Sequence, residues 1–60
     1  MLFPAYLHLA YAALYSNNRK KTEQFMGQAK GAIRSPADQA QFDRFSVRYK
    51  ERNEIWKEVL

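Results

Sequence analysis

His8 is the only histidine in this 60-residue chain, and no cysteine accompanies it. A zinc centre draws three or four ligands from thiolates, imidazoles and carboxylates, so no metal site is expected here. No acid or nucleophile precedes His8 in the chain, which makes it a packing or surface residue rather than a catalytic base. The acids Asp38, Asp43, Glu51, Glu54 and Glu58 fall on one stretch with helical periodicity. Acid–base work by paired carboxylates needs a pocket that drives their proton affinities apart. One solvated helix offers no such pocket. There is no glycine-rich phosphate loop and no strand to carry one. The chain is therefore expected to be non-enzymatic and free of cofactors.

The residue types for binding are better represented. The first 18 residues carry no charged side chain, and residues 19–34 then hold Arg19, Lys20, Lys21, Lys30 and Arg34 against Glu23 alone. The remainder is balanced, so this segment accounts for the whole net charge of +4. Such a cluster attracts phosphates or an acidic protein. Further along, Arg48 and Arg52 fall inside an apolar arc, beside Phe45, Tyr49 and Ile55. Their stems can cover apolar surface while the guanidinium heads reach water. Tyrosine, tryptophan and arginine are also the types enriched where proteins bind one another.

These side chains need elements to position them, and the clearest element boundary is Arg34-Ser35-Pro36-Ala37-Asp38. Ser35 suits an N-cap, Pro36 the first helical position, and Asp38 the third, where a carboxylate meets free N–H groups. The residue before a proline avoids the α region, so the preceding helix should end by Ser35. At about 100° per residue, Leu7, Ala10, Tyr11, Leu14, Phe25, Ala29 and Ala32 share one face of the first segment. The stripe keeps phase across Ser16-Asn17-Asn18, which predicts one continuous helix over 4–33. The competing reading breaks the chain at Ser16-Asn17-Asn18, since serine and asparagine favour caps and turns. In the second segment, Phe42, Phe45, Tyr49, Trp56 and Leu60 line one face of a helix over 36–60.

The pattern predicts an all-α chain of one domain, an antiparallel two-helix hairpin turning near residues 34–35. Positions summing to about 70 would then face each other: Phe25 with Phe45, Leu14 with Trp56, Asn18 with Arg52, and Tyr11 with Val59 or Leu60. The N-terminal tip, with Phe3 and Leu7, would overhang. Exposed apolar surface marks an interface, and dimerisation into a four-helix bundle would cover it. The expected function is accordingly a small protein-interaction module: an adaptor, inhibitor or assembly subunit. Its expected interface is Phe3, Leu7, Tyr11, Leu14, Arg48, Arg52 and Trp56, with a second copy or another protein as partner. The alternative is a small basic nucleic-acid-binding protein using Arg19, Lys20, Lys21, Lys30 and Arg34.

The uncharged start spans about 15 apolar residues, short of the ~20 a membrane helix needs. Insertion is not expected. Peripheral contact remains open through Tyr6, Tyr11 and Tyr15, which suit an interface. A cysteine-free composition fits a reducing compartment, and a cytoplasmic location is the expectation.

Overall fold

The structure, a computed structural model, describes residues 1–59. It is a compact three-helix bundle: α1 is Leu2–Tyr15, α2 is Arg19–Gly31 and α3 is Pro36–Val59. The predicted two-helix hairpin, and the four-helix bundle it would form by dimerising, are both wrong. The error lies at Ser16-Asn17-Asn18, where the chain reverses instead of continuing as one helix.

Local chemistry explains the reversal. Asn17 has φ 62°, the left-handed conformation that asparagine tolerates better than other side-chain-bearing residues. The Asn18 N–H donates to Ala13 O at 3.0 Å, and the Asn17 N–H donates to Leu14 O at 3.1 Å. This bonding closes the end of α1 on itself as a Schellman motif. Asn18 then opens α2: its Oδ1 accepts from the Lys21 N–H at 3.1 Å. One asparagine thus ends a helix and its neighbour starts the next, with no free linker between them.

The second junction follows its sequence prediction. Ser35 Oγ accepts from the Asp38 N–H at 3.2 Å, and Asp38 Oδ2 accepts from the Arg34 N–H at 3.0 Å. The carboxylate reaches one residue further back than in a simple capping box. Gly31 ends α2 without a positive φ, so it is not a left-handed cap.

Because α1 folds back on α2, it runs in the same direction as α3. Tyr11 packs edge-on against Phe45, with ring centroids 5.0 Å apart, rather than meeting Val59. Its suggested contact with Leu60 lies outside the described residues. The N-terminal tip does not overhang. Leu2, Phe3 and Pro4 border a cleft whose far side is Ala32, Arg34, Ser35 and Asp38. The core joins Phe3, Leu7, Ala10 and Leu14 of α1 to Ala29 and Ala32 near the end of α2, and to Phe42, Phe45 and Trp56 of α3.

Two polar contacts tie α3 to the rest. The Trp56 indole N–H donates to Asn17 Oδ1 at 2.9 Å, and the Tyr49 hydroxyl donates to Glu23 Oε2 at 2.8 Å. Thr22 is buried and its hydroxyl donates to Asn18 O at 2.7 Å, whereas Lys21 lies in solvent.

Candidate functional site

The side chains with catalytic potential are dispersed. His8 is exposed on α1. Asp38 caps α3, and Asp43 accepts from Gln39 Nε2 at 2.8 Å. Glu51 and Glu54 pair with Arg48 and Lys57 at 3.6 and 3.5 Å on the surface of α3. Among the described residues, no group of three or more His, Cys, Asp or Glu side chains is placed to hold a metal ion. No described helix is long and apolar enough to cross a membrane.

The seven residues expected at a protein interface divide into two groups. Phe3 and Leu14 are 2% exposed, Trp56 is 4% and Leu7 is 7%. All four belong to the chain's own core, because folding α1 back packs it against both α2 and α3. Tyr11 and Arg52 are half-buried, and Arg48 is exposed. These three remain accessible, and they lie together where α1 and α3 meet.

That surface is built from two adjoining grooves. Tyr11, Tyr15, Arg44, Val47 and Arg48 line one. Leu14, Tyr15, Arg48, Glu51, Arg52 and Ile55 line the other. Arg44, Arg48 and Arg52 recur every four residues, which stacks them along one side of α3. Tyr15 stacks on Tyr11 at 5.9 Å with 25° between the rings. It begins a run of rings that continues inward through Tyr11 and Phe45 to Tyr49 and Trp56. An exposed tyrosine is therefore held in place by the core behind it. Tyr15, Val47 and Ile55 are 67%, 58% and 49% exposed. Val47, which the helical pattern leaves as an isolated exposed hydrophobe, has apolar and arginine neighbours here.

Arg44 and Tyr15 complete this surface, and neither is among the interface residues expected from sequence. The signal for Arg44 was the four-residue arginine spacing. For Tyr15 the sequence suggests only peripheral membrane contact; its place beside the arginines depends on α1 ending at this residue.

The basic residues 19–34 are split by the fold. Lys20 and Lys21 are exposed in the first turn of α2, beside the α1–α2 reversal. Lys30 and Arg34 are exposed at the opposite end. Nine residues of chain between Lys21 and Lys30 correspond to ~14 Å of helix. Arg19 is half-buried, and its Nε lies 3.5 Å from Glu23 Oε2, which also accepts the Tyr49 hydroxyl.

Comparison of the chain with protein families, curated proteins and solved structures finds no match.

Proposed function

We propose that this chain is a non-enzymatic protein-interaction module, an adaptor, inhibitor or assembly subunit, working through the surface where α1 meets α3. The observation that carries this reading is the exposure of Tyr15, Val47 and Ile55 among Arg44, Arg48 and Arg52. Tyr15 beside three arginines resembles the composition of binding hot spots, and Val47 and Ile55 add exposed apolar area around it. The backing of Tyr15 by Tyr11 and Phe45 lowers the entropy that a partner must remove on docking. The partner is another protein or a second copy of the chain. A cytoplasmic setting belongs to the same proposal and rests on the cysteine-free composition.

Nucleic-acid binding is the second reading, favoured by the exposure of Lys20, Lys21, Lys30 and Arg34. The separation of these residues into two pairs ranks it lower, since one contact would engage one pair at a time.

Photo-cross-linking separates the two. A photoreactive amino acid is placed at Tyr15, and in a second protein at Gln28, which is exposed on α2. Protein adducts of discrete size, formed in cells from Tyr15 and not from Gln28, are the expected result. Nuclease-sensitive adducts, or equal labelling from both sites, would overturn the docking reading.

A further inference from the structure

The outward face of α3 carries a charge and apolar pattern that is its own complement. Taking about 100° per residue, Arg44, Val47, Glu51, Ile55 and Glu58 form a single seam on the side away from the core, and all five are exposed. Read from its N-terminal end, the seam is basic, apolar, acidic, apolar, acidic. Turned end over end about Glu51, it sets Arg44 against a second Glu58 and Val47 against a second Ile55. Arg44 and Glu58 enter no ion pair among the described residues, so both are free to make that contact. Glu51 would meet its own copy at the centre. Its charge is already offset by Arg48, 3.6 Å away on the same helix.

We propose that a second copy of this chain packs antiparallel on this seam, with the two-fold axis at Glu51. The proposal rests on the reading of the chain as a protein-docking module and names its partner. The surface differs from the N-terminal tip, where Phe3 and Leu7 are buried in the chain's own core. One helix against another covers little area, at the low end of the range for specific interfaces. The dimer is therefore reversible and concentration-dependent. Facing carboxylates at the axis hold it below the affinity that an apolar seam would reach.

Sedimentation equilibrium with charge reversal tests this. The full chain should show a monomer–dimer equilibrium across the micromolar range. Arg44→Glu and Glu58→Arg should each weaken association roughly tenfold, as two opposite-charge contacts become like-charge ones. An equal mixture of the two variants recreates both opposite-charge contacts across the axis, so it should associate about as tightly as the unmodified chain. Glu51→Leu should tighten the dimer. Both charge-reversed positions are exposed, and circular dichroism of each variant should match the parent. A monomer at every concentration would overturn the proposal, as would association indifferent to either reversal or a mixture without rescue. A monomer whose Tyr15 probe still labels another protein would reject the second copy while keeping the docking reading. Nuclease-sensitive labelling would reject the docking reading itself.

Discussion

Asn17 has the one left-handed φ found at a non-glycine position among the described residues, and its side chain accepts the Trp56 indole proton. Backbone conformation and side-chain chemistry can be separated there. Asn17→Gly keeps the left-handed turn and loses the hydrogen bond, at about 0.5–1.5 kcal/mol. Asn17→Ala loses the bond and adds about 1–2 kcal/mol of left-handed strain. Chemical denaturation should therefore rank alanine as the more harmful change. In a Trp56→Phe background the indole donor is gone, and the extra cost of Asn17→Gly should shrink toward zero. Equal losses in both backgrounds would show that the 2.9 Å contact contributes nothing to stability.

Tyr49 gives a second test at this scale. Burial raises its pKa above the ordinary value of about 10, and the hydrogen bond to Glu23 with that carboxylate's charge pushes it further, against a smaller opposing effect of Arg19. The unfolded chain therefore releases this proton at lower pH than the folded one. The stabilisation is fully present below about pH 10 and is lost as pH rises through the raised folded value. Thermal unfolding followed from neutral to strongly alkaline pH should fall off more steeply for the parent than for Tyr49→Phe. Parallel curves would separate Tyr49 from the alkaline loss.

At the scale of elements, α2 is the helix with the most room for improvement. Its first turn has no acidic residue and places Arg19, Lys20 and Lys21 at the positive end of the helix dipole. Lys21→Glu should stabilise the fold by about 0.3–1 kcal/mol. An added Cβ at Gly27 meets nothing within 4 Å, so Gly27→Ala should raise stability by about 0.4–1 kcal/mol. Denaturant midpoints of the two variants are the check, and a decrease in either would contradict the solvent-facing placement of that residue.

These elements were unevenly legible in the sequence. The start of α3 was clear because Ser35, Pro36 and Asp38 all signal the same boundary. The buried face of α3 was clear as well, since Phe42, Phe45 and Trp56 repeat at helical spacing. The α1–α2 reversal was obscured by a coincidence of phase. Both helices turn their apolar stripes to one core, so the stripe reads as continuous through the three residues that reverse the chain. Asparagine capping signalled the break locally, but the Trp56 contact that secures it comes from 39 residues away. The interface reading failed for a related reason. Phe3 and Leu7 fall to a partner only if the hairpin leaves the N-terminal tip uncovered; in the bundle they join Leu14 in the chain's own core. Arg48, Arg52 and Tyr11 remained accessible because they sit at the junction of α1 and α3.

At the scale of the whole molecule, the distribution of charge decides how the chain meets a polyanion. The net charge of +4 would suggest a broad phosphate contact if all of residues 19–34 acted together. The fold separates Lys20 and Lys21 from Lys30 and Arg34 by most of the length of α2, and Arg19 is engaged with Glu23. Phosphate binding releases counterions, and the logarithm of the binding constant falls by about 0.9 per neutralised phosphate for each logarithmic unit of salt on duplex DNA. Engagement of one pair predicts a slope near −1.8, whereas all five residues acting together would give about −4.5. A protein-docking module with this layout should bind duplex DNA weakly, with the shallower slope, and should lose measurable binding near ~0.15 M salt. Titration of labelled duplex at several salt concentrations reads the slope directly. Tight binding at ~0.15 M salt with a slope near −4.5, abolished when Arg19, Lys20 and Lys21 become alanine, would place the basic helix rather than the α1–α3 surface at the centre of function.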